Sequence, residues 1–388
     1  MSWLTADEAL ARLRTKPQTL YANVSRGRIA ARPDPDDPRR SLYRQDDVER
    51  LAARGRGRRG ANAVAAESIA WGEPVLETAI STIAEGRLVY RGVDAVALSE
   101  TESLETVASL LWGLDGAVAF GDVTSPSAPR HRGSGGAGAE ADCADLVSAY
   151  RFVAELAATE MPTVGRSRTV LLADAQRVVG QVAHALAGPG DDPMHRRLAR
   201  HWGRPGAEDA LRRALVLLAE HELNASTFAA RVAASTGAPL AAAVMAGLAA
   251  LSGPLHGTAS HSMAGLVAAA KAHGPEQAVR EALQLGQPLP CFGHRLYPDG
   301  DVRAAALMAS FPVPELFAAI AKAGEAVMGE QPNIDFALAA MTAAFDLPSE
   351  APLEIFALAR SVGWIAHALE QVETGALIRP RARYVGVD

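Results

Sequence analysis

Cysteine is almost absent from this 388-residue chain: Cys143 and Cys291 are the two present, and they stand far apart. That argues against a disulfide-stapled scaffold and against a thiolate metal site. Aromatic residues make up only 5%, and no apolar run reaches the roughly 20 residues that a bilayer span requires. The longest weakly polar stretch, Gly237 to Leu251, is too short and carries Pro239, so it reads as a buried helix. No membrane contact is expected. The N-terminus lacks a basic-then-apolar export pattern, which points to the cytoplasm. β-Branched strand runs between helical patterns are also missing, which argues against a doubly wound sheet. What is plentiful is Ala, Leu and Val within a 49% hydrophobic content, the composition of closely packed helices. The expected fold class is all-α.

Charge is unevenly spread. Residues 1–60 hold 14 Lys/Arg against 8 Asp/Glu, whereas the remainder holds 24 against 36. In that basic segment, Thr5 with Glu8 and Thr15 with Gln18 are capping-box patterns, with Pro17 tolerated in the first turn. Leu4, Ala9, Leu10 and Leu13 give the first helix an apolar face; Leu20 and Val24 pack the second on it, leaving Thr19, Tyr21, Asn23 and Arg26 outward. Ile29 to Arg32, a Pro/Asp turn over 33–38 and "RRSLYR" suggest a two-stranded wing, closed by a helix in "DDVERLAARG". The segment resembles the winged helix-turn-helix of the MerR/excisionase type. The resemblance implies DNA contact by Thr19, Tyr21, Arg26, Arg28, Arg32, Arg39 and Arg40, with Arg44 a further basic position. A small helical accessory domain with a solvated basic face is the plainer alternative.

The Arg/Gly/Ala-rich stretch 54–68 reads as a flexible linker, placing a domain boundary near residue 60. A second low-complexity stretch within 122–142 reads as a surface loop, and its "GSGGAG" has no strand-to-helix context for a phosphate cradle. From about 145 onward helical patterns follow one another, interrupted by Gly and Pro; one of them is read as continuous from 208 to 236.

Polar residues interrupt these apolar helices in four places: "AEHELNAST" with His221 and Asn224, "SGPLHGTASHS" with His256, "CFGHRLYPDGDVRA" with His294, Arg295 and Arg303, and "QPNIDFALAAM" with Asn333 and Asp335. Arg360 lies in "ALARSVGWIAHALEQ", and Arg379 and Arg381 in "IRPRARYVG". Taken singly, each has a structural reading: a satisfied core histidine, a carboxylate at a helix N-terminus, a tail charge. His256 and His261 are five apart and do not share a helix face, which disfavours a zinc site with His294; no metal is expected.

Together, the order and wording of "HELNAST", "GPLHG", "FGHRLY", "PNIDF", "ARSVGWIAH" and "RPRARYVG" resemble the citrate synthase family, from about residue 70 to the C-terminus. "GRLVYRGVDAVALSE" and "TVASLLWG" share the likeness. The resemblance implies a large helical domain from 61–256 and 351–388, a small one from 257–350, and a homodimer. It implies condensation of acetyl-CoA, or another short acyl-CoA, with oxaloacetate, with CoA as co-substrate and no tightly bound cofactor. Asp335 matches the base that deprotonates the acyl carbon, His256 the group that stabilises the enolate, and His294 the group that polarises the ketone. His221, Arg303, Arg360 and Arg379 match the dicarboxylate ligands, Arg379 serving a neighbouring subunit. Cys291, Phe292, Gly293 and Asn333 match the acyl-CoA contacts. Departures are Thr258, Ala259, Ser260 and His261 after Gly257, Cys291 where glycine is common, and Val302 where Pro often precedes the arginine. A regulator that senses CoA thioesters or dicarboxylates through the same body is the alternative function.

Overall fold

The computed structural model describes residues 3–13, 20, 24, 29–34, 37, 41–49, 76–121, 145–257, 262–382, 384 and 386. Two compact units divide between Glu77 and Thr78.

The first unit contains β1 (Trp3–Leu4), α1 (Ala6–Leu13), β2 (Ala31–Pro33) and β3 (Ser41–Arg44). The capping box expected at Thr5 forms: its N–H donates to Glu8 Oε2 at 2.8 Å, and Glu8 N–H to Thr5 Oγ1 at 3.4 Å. β2 and β3 pair antiparallel with Arg32 opposite Leu42, and β1 joins the other edge of β3. Leu4, read above as part of a helix face, is therefore a strand residue. It still reaches the small core of Ala9, Leu20, Ile29, Tyr43 and Val48. Arg32 is exposed, and its guanidinium lies over the Trp3 ring at 4.4 Å. Thr19, Tyr21, Arg26, Arg28, Arg39 and Arg40, the second capping box, the linker at 54–68 and the loop at 122–142 lie outside the described residues.

The second unit opens with a meander that the all-helical expectation missed: β4 (Ser81–Ala84), β5 (Arg87–Tyr90) and β6 (Val93–Asp94). Glu85 and Gly86 form its first two-residue turn, both at positive φ, 52° and 73°, the geometry that suits the twist of a tight hairpin. Helices follow: α2 (Ala95–Thr101), α3 (Leu104–Trp112), α4 (Leu146–Thr159), α5 (Arg168–Ala187), α6 (Met194–His201), α7 (Glu208–Leu218), α8 (Ala225–Ser235) and α9 (Leu240–Leu251). Then come α10 (Ser262–His273), α11 (Pro275–Gln284), α12 (Val302–Met308), α13 (Glu315–Met328), α14 (Ile334–Phe345) and α15 (Ala351–Thr374).

α15 is the axis of the unit. It is apolar on nearly every side, so it must be enclosed, and α3, α5, α7, α8 and α9 surround it. α10, α11 and α13 pack on one another, while α12 joins α14. Gly237 to Leu251 does become a buried helix, starting after Pro239 at α9. Among the described residues no helix is long and apolar enough to cross a membrane.

Candidate active site

The segment read as one helix from 208 to 236 is broken, and the break builds the site. α7 stops at Leu218, where the buried hydroxyl of Tyr90 shares its one proton among the carbonyls of Val216, Leu217 and Glu220, at 3.0 to 3.3 Å, and accepts from Glu220 N–H at 3.2 Å. Asn224 restarts the chain as the cap of α8, its Oδ1 accepting from Thr227 N at 3.0 Å. Glu222, at φ 52°, carries the turn between them. His221 is held in this break, 5% exposed.

The loop Cys291–Arg303 brings His294 against it: the two rings meet edge to face, centroids 5.1 Å apart. Leu296 N–H donates to His294 Nδ1 at 3.2 Å, so the proton of the neutral ring sits on Nε2. Tyr297 follows, with its ring 5.0 Å from that of His294 and its hydroxyl 3.0 Å from His221 Nε2. The side chains of Cys291 and Phe292 are buried. Gly293 has φ 71°, a backbone conformation that favours glycine, and it lies close beneath the Glu330 carboxylate.

Asp301 joins the loop to α14. It grips Arg303 in a two-pronged pair and also accepts from Ile334 N–H at 3.0 Å. Asn333, the cap of α14, donates to the carbonyls of Pro290 and Gly293 at 2.7 and 3.0 Å and accepts from Asp335 N–H at 3.1 Å. Both amide hydrogens of Asn333 are thus engaged by the loop. Asp335, at the start of α14, has a buried Oδ1 with no hydrogen-bond partner. Burial pushes its carboxyl up to about 7 and the charge of Asp301 adds to this, while Arg303 and Arg360 pull the other way.

His256 and Arg360 meet on a residue the motifs did not single out. Phe356, four positions before Arg360 on α15, lies 5.8 Å from the His256 ring and 4.7 Å beneath the guanidinium. Ser226 Oγ lies 2.8 Å from His256 Nε2, receives the Trp364 indole N–H at 3.1 Å and donates to Asn224 Oδ1 at 2.8 Å. Arg360 is fully buried; its Nε donates to Leu218 O at 2.8 Å, and one terminal nitrogen has no partner. Beyond it, Glu220 accepts from Ser81 and from His367 Nε2, each at 3.1 Å. Gly363 allows this close approach: a Cβ there would lie 2.5 Å from Glu220 Oε2 and closer still to the Ala219 carbonyl oxygen.

The electrostatic consequence is three neutral imidazoles beside two fixed cations. Burial, aided by Arg303, pushes His294 down to about 4; burial and Arg360 do the same to His256. His221 is driven well below its usual range by burial and then by both arginines. Arg303 stays charged, since Asp301 outweighs the effect of its burial, and burial lowers Arg360 only to about 10. Such a set can hold a dianion, donate neutral hydrogen bonds to it and keep one carboxylate basic enough to take a proton from carbon.

The structure therefore brings together His221, His256, His294, Arg303, Asp335 and Arg360. Arg379 is exposed in the tail after α15 and shares no hydrogen bond, ion pair or ring contact with them. Thr258, Ala259, Ser260 and His261 lie outside the described residues. Tyr297, Asp301, Ser226 and Phe356 were not assigned roles from sequence; the Asp-x-Arg cap of α12 and the i, i+4 spacing of Phe356 and Arg360 were the available signals. A surface groove between Thr163–Arg168 and Thr236–Gly237 includes none of these residues, and its Arg166 and Arg168 are already paired with Asp174 and Glu373. Among the described residues, no group of three or more His, Cys, Asp or Glu could hold a metal ion.

Comparison with known proteins gives the family. The family model "Citrate synthase, C-terminal domain" matches residues 140–381. A citrate synthase of Haloferax volcanii is 34% identical over 346 residues, covering 78% of this chain and 90% of that protein. A 2-methylcitrate synthase of Corynebacterium glutamicum is 35% identical over 193 residues, 45% of this chain and 49% of that one. Among solved structures, the citrate synthase of Thermotoga maritima superposes with a TM-score of 0.63 at 26% identity, over 81% of this chain and 94% of that chain. The chain belongs to the citrate synthase family and is an enzyme of that type, condensing an acyl-CoA with oxaloacetate without a tightly bound cofactor.

Proposed function

We propose that the cluster around Asp335 joins a short acyl-CoA, acetyl or propionyl, to the ketone carbon of oxaloacetate. Asp335 takes the proton from the carbon beside the thioester, and His256 hydrogen-bonds the developing enolate oxygen. The carbon attacks the ketone while His294, with its proton on Nε2, donates to the oxygen that becomes the alcohol. Water then cleaves the thioester, releasing CoA and a citrate-type acid. Arg303, Arg360 and His221 hold the carboxylates of oxaloacetate. The thioester lies along the backbone at Cys291, Phe292 and Gly293, which Asn333 braces. The observation that carries this reading is the buried, unpartnered Oδ1 of Asp335, whose carboxyl burial raises to about 7 against the pull of Arg303 and Arg360.

A panel of acetyl-, propionyl- and butyryl-CoA with oxaloacetate tests it by release of free thiol. Release is expected for at least one thioester and is expected to be lost in Asp335→Ala. No release from any of the three counts against the assignment.

The working form we propose is a homodimer in which residues 257–350 close as a smaller lobe over the rest, and Arg379 completes the carboxylate site of a neighbouring subunit. Supporting it, Val147, Met161, Val164, Val170 and Met245 are exposed on or between α4, α5 and α9, helices that pack on one another. Sedimentation should give twice the chain mass, and Met245→Asp with Val170→Asp should halve it. The first unit we read as a winged helix-turn-helix that meets DNA, supported by the antiparallel β2–β3 pair carrying the exposed Arg32 and by the basic charge of residues 1–60. Salt-sensitive DNA binding that survives deletion of residues 1–60 would remove that reading.

A further inference from the structure

Tyr297 has no role in the scheme above, yet it touches three of the groups in it. Its hydroxyl lies 3.0 Å from His221 Nε2, its ring is tilted against His294 at 5.0 Å, and the Arg303 guanidinium lies over it at 5.3 Å. Its position is built into the loop: Tyr297 N–H donates to His294 O at 2.9 Å, and Gly300 N–H to Tyr297 O at 3.0 Å.

The direction of the hydroxyl bond follows from accounting for its proton. Tyr297 is 2% exposed, and among the described residues His221 is the one hydrogen-bond partner of its hydroxyl. A buried O–H left without an acceptor is costly, so the phenol donates and Nε2 accepts. A neutral imidazole that accepts at Nε2 carries its proton on Nδ1. Among the described residues Nδ1 has no hydrogen-bond partner, and it is not among the fully buried atoms lacking one, so it is left available to donate to a ligand.

We propose that Tyr297 is a positioning residue for the keto acid: its hydroxyl fixes His221 as an Nδ1–H donor to the dicarboxylate, while its ring sets the spacing of His294 and Arg303. The proposal rests on the assignment of this cluster to oxaloacetate. It divides the labour within the loop, because the two histidines present opposite nitrogens. His294 has its proton on Nε2 through the Leu296 amide, and His221 has its proton on Nδ1 through Tyr297.

The test is Tyr297→Phe, which keeps the ring and removes only the hydroxyl. In protein labelled with ¹⁵N-histidine, His221 should show a protonated Nδ1 in the parent, and the variant should lose that preference. The Kd of oxaloacetate, measured by calorimetry without thioester, should rise about tenfold, the scale of one hydrogen bond to a charged group. KM for the acyl-CoA should stay within about twofold. In His221→Asn, whose side-chain amide supplies a donor without needing the phenol, adding Tyr297→Phe should have little further effect on Kd. A parent His221 protonated on Nε2, or equal Kd in parent and Tyr297→Phe, overturns the proposal. Failure of the parent to bind oxaloacetate at all, with the Nδ1–H form observed, would instead sink the substrate assignment and leave the tautomer assignment standing.

Discussion

Arg303 is held by Asp301 through two parallel hydrogen bonds, Nε to Oδ1 at 2.9 Å and Nη2 to Oδ2 at 2.8 Å, with both side chains almost wholly out of solvent. The same carboxylate receives the N–H groups of Arg303 and Ile334. One residue therefore ties the histidine loop to the helix that presents Asp335. Removing it strands a buried cation, which costs about 3–5 kcal/mol where a buried pair is broken from one side. Asp301→Ala should unfold at a markedly lower urea concentration than the parent and bind oxaloacetate more weakly. Asp301→Asn should lie between them on both measures. An Ala variant with parental stability would show that the pair carries no net weight.

The pH dependence of activity follows from Asp335. Its carboxyl must be ionised to act as base, and its value is raised to about 7. The imidazoles have already lost their protons at that pH, since His256 and His294 sit at about 4. kcat/KM should therefore climb tenfold per pH unit below about 7, level off above it, and hold until Arg360 begins to lose its charge near 10. A profile already flat from pH 5 to 8 would remove Asp335 from the role.

The same group has a stability consequence of opposite sign to that of most carboxylates. Because its value in the fold lies above the ordinary Asp range, the folded state binds more protons than the unfolded chain between about 4 and 7. Ionised Asp335 thus destabilises the fold, and it does so fully above about 7. Asp335→Asn should raise Tm at pH 8 and change it little at pH 4; thermal melts at the two pH values decide the matter.

Ser226 governs which nitrogen His256 offers. As placed, its hydroxyl donates to Asn224 and accepts from Trp364, so His256 Nε2 carries the proton and Nδ1 is a bare acceptor. Turning the hydroxyl toward Nε2 moves the proton to Nδ1, the form that can donate to an enolate. Ser226→Ala removes that choice and should lower kcat by up to roughly 100- to 1,000-fold, the range for losing one aligned donor, with little change in the oxaloacetate KM. Steady-state kinetics that show the reverse split would contradict it.

Gly363 sets how closely α15 approaches the end of α7. A methyl group there meets the Ala219 carbonyl and Glu220 at once. Gly363→Ala should destabilise by about 1–3 kcal/mol, as overpacking does, and should displace Arg360 along with its helix. Urea unfolding and oxaloacetate affinity should fall together; a loss of one without the other separates packing from placement.

Most of the helices of the second unit were legible because each pattern of buried positions repeats with the helical period and ends at Gly or Pro. α9 after Pro239 and α13 ending at Gly329 are examples. Three features were not. The β4–β6 meander escaped because its strands run only two to four residues, too short to develop an alternating pattern. The gap between α7 and α8 escaped because "LAEHELN" is compatible with a helix until the distant Tyr90 hydroxyl takes its carbonyls. β1 escaped because two residues beside a capping box read as part of the helix they precede.

The motif residues could be found as a set because each is a polar or charged group in an apolar setting, where its presence needs a reason. Phe356 and Tyr297 gave no such sign, since an aromatic residue in a core is its own explanation. Only their contacts, Phe356 between His256 and Arg360 and Tyr297 among His221, His294 and Arg303, reveal what they do.

By itself, then, the order of residues determined the helical class, the ends of most helices, the family and the polar residues that stand out in apolar helices, because periodicity, caps and short polar motifs are local. Tertiary structure alone decided how His221 and His256 are hydrogen-bonded and why Asp335 is basic near neutrality. Those properties depend on partners tens of residues away, Asp301 with Asp335, Tyr297 on His221, Ser226 under His256, and on the exclusion of water that folding brings about. Neither exists in the chain until it is packed.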